Sequence, residues 1–449
     1  MQAILIKNAA IINEGKILRG HVFCADGRIQ KIFREEPQGF EQNSSLRIIE
    51  AEDKILIPGV IDDQVHFREP GLTHKADIYS ESKAAIAGGV TSYMEMPNTS
   101  PPTTSKSLLA EKINIARQSS LANYSFYLGA TNDNLKELLE ADPLKICGIK
   151  IFMGSSTGNM LVDNDAVLRS IFSKINIPIA VHCEDESVIK ANTLAHKRKY
   201  GENIPVMMHP AIRSEEACYL SSSYAVELAR EFGTRLHVLH ISTARELELF
   251  DSVTPAEKKK ITSEVCIHHL WFDQSDYAKH GTKIKWNPSI KTHKDKEALI
   301  RAVNEGPIDI IATDHAPHTD KEKALSYFSA PSGGPMVQHS LVAMMELVRN
   351  GQIRIEKLVE KMCHAPATIF NINERGYIRK GYYADLVLLD MNSAWTVRKE
   401  NILYKCGWSP MEGMTFNTKV THTVVNGHIV YENGIFDEQP RSKQLTFKR

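Results

Sequence analysis

Lys150 lies in the run CGIKIFMG, with apolar residues on both sides. A lysine inside a buried strand is costly unless its charge is removed or compensated. The neutral amine in such a place can react with carbon dioxide to give a carbamate, a carboxylate on a long arm that can bridge two metal ions with one oxygen each. His66, His182, His240 and Asp314 end other apolar runs, and imidazoles with a carboxylate suit zinc or a similar divalent ion. One histidine at a strand end says little; four ligands on four strand ends around one lysine form a metal-binding pattern. A metal held there activates water by lowering its pKa toward neutrality and polarises a carbonyl or amide oxygen for attack. Asp314, in ATDHAPHT, is the natural general acid and base: one oxygen binds metal while the other takes a proton and delivers it to a leaving nitrogen.

The elements that must position these residues are legible as alternation. Short β-rich apolar runs, GVIDDQVHF, TSYMEMPN, YSFYLGA, GIKIFM, PIAVHCE, RLHVLHIST, ITSEVCIHHL and IDIIATDHAPHT, alternate with helical stretches such as SESKAAIAGG, SEEACYLSSSYAVELAREFG and KDKEALIRAVNEG. Eight strand-plus-helix units predict an α/β fold, a closed parallel (β/α)8 barrel of TIM type, over residues 57–370. His66, Asn98, Lys150, His182, His240, His268 with His269, and Asp314 fall at the far ends of these strands, where such barrels keep their chemistry. Residues 1–56 and 371–449 carry alternating segments with EG, DG and NG turns, the pattern of hairpins. They are expected to form one small β-sandwich domain from both termini, with the barrel inserted between them.

Composition excludes several classes. The 449 residues hold 54 Lys+Arg against 54 Asp+Glu, so no basic field is present to bind nucleic acid. No stretch approaches the roughly 18 apolar residues of a membrane helix, and the first residues read as strand and turn rather than as a leader, so a cytoplasmic location is expected. The seven cysteines are scattered without a CxxC pair, as reduced core thiols would be.

In sequence order, IDDQVHFREPG, MPNTSPPTT, GIKIFMGSSTGN, VHCED, LHVLHIST, EVCIHHL, WNPSIKT and ATDHAPHT resemble the dihydroorotase family of the amidohydrolase superfamily, over about residues 55–340. ADLVLLD and VVNGHIVYENG resemble the small β domain of that superfamily. The resemblance implies a metal-dependent hydrolase barrel that cyclises N-carbamoyl-L-aspartate reversibly to L-dihydroorotate with loss of water, the third step of pyrimidine synthesis. It implies one or two zinc ions on His66, Lys150, His182, His240 and Asp314, with Lys150 carboxylated on its side-chain nitrogen. It also implies that Arg68 and Asn98 hold the substrate's α-carboxylate, as a guanidinium fork and an amide donor can. Asn287 and His318 match the remaining substrate contacts. The segment APSGGPMVQHS sits where the family closes a loop over the pyrimidine ring, but PMVQHS departs from the commoner wording and its side chains receive no role.

Gln64 is a sharper departure. The family's first strand ends with His-x-His, and here Gln64-Val65-His66 loses one imidazole. A glutamine oxygen is a weaker donor to zinc, so the expectation is that the ion shared by Lys150, His182 and His240 suffices. His196, His209, His237 and His293 receive no site role; His237 is expected in the core or facing a helix, His196 and His209 in a loop-like stretch, and His293 in solvent. His268 and His269 are read as structural residues at a strand end. The rival readings are a hydantoinase or allantoinase, and a catalytically silent relative that serves as a structural partner of aspartate transcarbamoylase. Relatives are often homodimers, which is the oligomeric expectation here.

Overall fold

A computed structural model describes residues 3–36, 46–154 and 160–449. The chain opens with β1 (Ala3–Asn13), β2 (Lys16–Ala25), β3 (Arg28–Phe33), β4 (Leu46–Glu50) and β5 (Lys54–Pro58). Eight strands follow, each separated from the next by helical or loop segments: β6 (Val60–Val65), β7 (Val90–Glu95), β8 (Asn123–Gly129), β9 (Gly148–Phe152), β10 (Ile179–His182), β11 (Leu236–Val238), β12 (Ile261–Cys266) and β13 (Ile310–Ala312). They pair in parallel in exactly their chain order, β6 through β13. The first and last meet where His66 N donates to His315 O at 2.7 Å. At the same seam Asp62 accepts from the Thr313 hydroxyl at 2.6 Å and from Thr313 N at 3.2 Å. The eight alternating units therefore form the parallel barrel that their pattern predicts.

The barrel interior holds Ile61, Met94, Tyr127, Ala180, Leu239, Ile310 and Phe370 among its buried apolar residues, while Val65, Val181, Val238 and Val265 pack outward against the helices. This is the two-residue period of a strand with both faces covered. Local chemistry sets the helix starts. Asp77 caps Ile78–Ala87, accepting from Ser80 N at 2.8 Å, and Thr292 caps His293–Glu305 in the same reciprocal manner.

The chain ends with β14 (Leu386–Asp390), a two-stranded ribbon of β15 (Trp395–Thr396) and β16 (Thr415–Phe416), then β17 (Lys419–Val425), β18 (His428–Glu432) and β19 (Ile435–Phe436). Strands from both ends share one nine-stranded sheet, in which β14 pairs with β5 on one side and β17 on the other. Glu14-Gly15, Asp26-Gly27, Asn426-Gly427 and Asn433-Gly434 turn its four hairpins, and all eight residues have positive φ. That is the backbone of the type I′ turn, whose twist matches the strands it joins. Along β14, Leu386 and Leu388 face the sheet's own core, whereas Val387 and Leu389 join the apolar layer around the barrel. Among the described residues no helix is long and apolar enough to cross a membrane.

A buried polar network fastens the sheet to the barrel. Arg375 pairs with Asp385 and donates to Asn426 Oδ1 at 2.8 Å; Asn426 donates in turn to Asn123 Oδ1 at 2.8 Å, at the base of β8. Removing one partner of a buried ion pair strands the other in a poorly polarisable medium. Arg375→Met is expected to cost about 3–5 kcal/mol, seen as a lower urea midpoint at unchanged slope; an unchanged midpoint would show that the network holds nothing.

Candidate metal centre and substrate cavity

At the C-terminal ends of the barrel strands a cavity of about 470 Å³ opens, lined by Gln64, His66, Arg68, Asn98, Lys150, His182, His240, Asn287, Asp314 and His318. Every residue singled out in the sequence for ligation or substrate contact thus lines one cavity. The run SSTGN at 155–159, part of the GIKIFMGSSTGN motif, lies outside the described residues.

Lys150 projects from the middle of β9, 1% exposed, with no hydrogen-bond partner for its amine among the described residues. Burial lowers its pKa to about 7, so a substantial fraction is the free amine near neutrality. His182 ends β10, and its Nε2 donates to Glu184 Oε2 at 2.9 Å. The hydrogen bond fixes the tautomer and leaves a lone pair on Nδ1, which faces His240 Nε2 at 2.9 Å. Although burial acts upward on the Glu184 carboxyl, Arg213 and His182 hold it at about 2, so it remains a carboxylate. Burial lowers the pKa of His182 and, more strongly, that of His240, with the two rings and Lys150 disfavouring further positive charge.

The second group of ligand types lies across the barrel. His66 Nδ1 donates to Asn98 Oδ1 at 2.7 Å, which directs Nε2 toward Asp314 Oδ1 at 3.1 Å. Gln64 occupies the place of the missing imidazole, but its amide is engaged: Nε2 donates to Asp314 Oδ1 at 3.3 Å and Oε1 accepts from the Cys266 thiol at 3.6 Å.

The donor set fits a divalent cation. Three neutral or neutralisable nitrogens, on Lys150, His182 and His240, face one cavity, and the unpartnered Lys150 amine is otherwise an uncompensated buried group. His66 and Asp314 offer a further nitrogen and a carboxylate on the opposite wall of the same cavity.

Three cavity residues, Arg68 (φ 70°), His240 (φ 42°) and Asp314 (φ 44°), have left-handed backbone. Such a conformation costs a non-glycine residue about 1–3 kcal/mol and persists only where its surroundings impose it. The support for Arg68 is visible: the preceding Phe67 N donates to Glu95 Oε1 at 3.0 Å, and Glu95 is held by Lys112 at 2.8 Å, both side chains fully buried. His240 N donates to Glu264 Oε1 at 3.1 Å.

Arg68 is 6% exposed and donates through Nε to Pro317 O at 3.1 Å. Among the described residues no carboxylate forms an ion pair with it. His318 accepts from Lys75 at Nδ1 (3.0 Å) and donates from Nε2 to Ser332 O (3.0 Å); burial and the neighbouring Arg68 and Lys75 cations keep it neutral. Two buried lysines set the backbone of the loop that carries Ser332. Lys285 donates to Tyr327 O and Ala330 O, each at 2.6 Å, and Lys323 to Pro331 O at 2.8 Å and Gly333 O at 2.7 Å.

His237 takes the core position, one of its two expectations, inside the barrel 3.1 Å from Asp63 and 3.5 Å from Glu264. Other residues stand elsewhere than their patterns suggested. His209 is buried, bonded to the Tyr327 hydroxyl at 2.8 Å and to Trp286 O at 2.7 Å. His268 and His269 sit on the short helix Ile267–Trp271; His268 stacks on Trp286 and His269 lies 3.2 Å from Pro288 O. Glu184, Lys75 and Arg213 went unrecognised in the sequence. Glu184 was accessible, being two residues from His182 and hence in phase with it; Lys75 and Arg213 come from irregular segments with no period to mark them.

Residues 55–430 match the profile of the amidohydrolase family. The chain is 30% identical to a dihydroorotase of Methanosphaera stadtmanae, covering 96% of this chain and 97% of that one. It is 32% identical to a dihydroorotase of Staphylococcus epidermidis, covering 95% and 99% respectively. Among solved structures it superposes on an L-hydantoinase (dihydropyrimidinase) from Arthrobacter aurescens with a TM-score of 0.93, at 27% identity, covering 99% of this chain and 100% of that one. The barrel, the ligand types at its strand ends and the match across most of its length agree: the chain belongs to the amidohydrolase family of hydrolytic enzymes.

Proposed function

We propose that the protein is a dihydroorotase, interconverting N-carbamoyl-L-aspartate and L-dihydroorotate plus water. The observation that carries this reading is Arg68, a buried guanidinium lining the cavity without a carboxylate partner among the described residues. Its burial lowers its pKa to about 10, so it stays charged at neutral pH and calls for an anion. L-Dihydroorotate and N-carbamoyl-L-aspartate carry an α-carboxylate to meet it; the neutral rings of hydantoin and allantoin carry none. The dihydroorotase relatives support the same reading.

In this reading Lys150, as its carbamate, with His182 and His240 would hold one divalent ion, zinc by ligand type, and His66 and Asp314 would supply further donors. Such an ion lowers the pKa of bound water and polarises an amide carbonyl. The protein's own groups do the rest. Arg68 grips the α-carboxylate as a fork, and Asn98, whose oxygen is taken by His66, presents its NH2 group beside it. Asn287 and His318 line the side of the ring, and the loop pinned by Lys285 and Lys323 covers it. In the hydrolytic direction the oxygen of water bonds to the ring carbonyl carbon, the carbon–nitrogen bond breaks, and one proton passes from water to nitrogen. Asp314 carries that proton on Oδ2, since Oδ1 already accepts from the Gln64 amide. The catalytic domain is residues 57–370, with 1–56 and 371–449 as the small β domain.

Purified protein should turn over L-dihydroorotate and N-carbamoyl-L-aspartate but not hydantoin or allantoin. Turnover of hydantoin alone would move the assignment to a hydantoinase, and no turnover of any of the four by metal-replete protein would favour a silent structural relative. Asp314→Asn should lower kcat by about 10²–10⁴-fold with the fold retained by circular dichroism; retention of most activity would remove Asp314 from proton transfer. Arg68→Met should reduce kcat/KM for L-dihydroorotate by about 10²-fold or more, through loss of a buried charge pair, and an unchanged value would refute the α-carboxylate contact.

A further inference from the structure

Below the cavity, in the barrel interior, Asp63 on β6, His237 on β11 and Glu264 on β12 converge. All three are at most 1% exposed, and one ligand atom from each lies within 4.8 Å of the others. β6 is not a neighbour of β11 or β12, so the three side chains meet across the interior rather than along one strand pair.

The hydrogen bonds around His237 determine what this meeting needs. The Thr262 hydroxyl donates to Leu236 O at 3.2 Å and therefore accepts from His237 Nδ1 at 2.8 Å. In the neutral ring this leaves a lone pair on Nε2, aimed at Asp63 Oδ2 (3.1 Å) and Glu264 Oε2 (3.5 Å). Neither contact has the angle of a hydrogen bond: Nε2, both Asp63 oxygens and Glu264 Oε2 have no hydrogen-bond partner among the described residues. A lone pair facing two carboxylates in a dry interior requires a positive charge between them. Against the burial that lowers it, Asp63 and Glu264 raise the pKa of His237, while burial and Asp63 raise that of Glu264, both directions expressing the same need.

The geometry points to a second cation site, separate from the cavity: Asp63, His237 and Glu264 hold a divalent transition-metal ion. Ligands about 2.0–2.2 Å from a tetrahedral zinc stand about 3.4 Å from one another, close to the 3.1 and 3.5 Å separations here. Imidazole nitrogen and carboxylate oxygen are both zinc donors, and a ligating histidine usually donates its other N–H to an oxygen, as His237 does to Thr262. Binding neutralises both carboxylates and displaces any proton from His237. The ion has no opening to substrate, so its work is mechanical. Glu264 uses Oε2 toward the ion and Oε1 toward His240 N, which ties the ion to the left-handed backbone that presents His240 to the cavity.

The test is zinc-edge anomalous diffraction from crystals of the full chain, produced in zinc-supplemented medium without chelator, with zinc per chain measured by mass spectrometry. A peak about 2.0–2.2 Å from His237 Nε2 is expected; Asp63→Asn should abolish that peak and lower the zinc content by one equivalent per chain. No anomalous density beside His237 would overturn the site, leaving an imidazolium between two carboxylates. The map of the unaltered protein decides the matter even where the variant does not fold. The outcome is independent of the proposed reaction, because zinc beside Lys150 but not His237 refutes only this site, and zinc beside His237 but not Lys150 refutes only the cavity centre.

Discussion

The amine of Lys150 is the constraint around which the barrel is arranged. A lysine on a central strand, sealed from water and given no acceptor, cannot remain an ordinary ammonium without a large penalty. Its neighbours do not relieve it as a carboxylate partner would. They are imidazoles, of which His182 is tied through its outer nitrogen to Glu184 while its inner nitrogen turns toward His240. The side chains at the strand ends are thus deficient in positive charge at one point and in negative charge at another, beside Arg68. A site unsatisfied in both senses is one that binding completes.

Precision at this site comes from buried charge placed one layer away. Lys112 and Glu95 hold the backbone between His66 and Arg68, Asp62 and Thr313 close the seam beside Asp314, and Glu81 bonds His315, whose Nδ1 receives Met336 N at 2.9 Å. Each pair spends desolvation to fix a backbone atom, and in return left-handed residues are kept where an unsupported chain would relax them. The same reasoning explains why two lysines are buried under the loop at 327–333: their donors fix its carbonyls at Tyr327, Ala330, Pro331 and Gly333.

The strands were legible because a buried parallel strand is a short β-branched or apolar run, and GIKIFM or PIAVHCE carries no competing helical period. The hairpins were legible from their DG and NG dipeptides, since few other pairs tolerate two positive φ angles, and the EG turn from its glycine alone. The cavity residues were found largely from their types at strand ends. What strict alternation could not show was how His240 reaches the cavity. Leu239 faces the interior, so the next residue should point outward; the left-handed turn at His240 reverses it. The same count left His237 as a core or helix-facing residue, and the outward packing of its flanking Leu236 and Val238 decides for the core. Arg213 and Lys75 arrive from irregular segments and enter the site through tertiary packing alone, which no local pattern encodes.

The sheet shared by the two ends of the chain bears on how the molecule is made. Leu56 of β5 pairs with Leu388 of β14, and every barrel strand lies between them in sequence. If β5 forms before β14 reaches it, one of its edges stands unpaired, and the loop that their pairing closes spans about three-quarters of the chain. Loop-closure entropy of that size grows only slowly with length, but non-local pairing retards folding. The topology predisposes the chain to a late docking step, during which β5 presents an open edge to other chains.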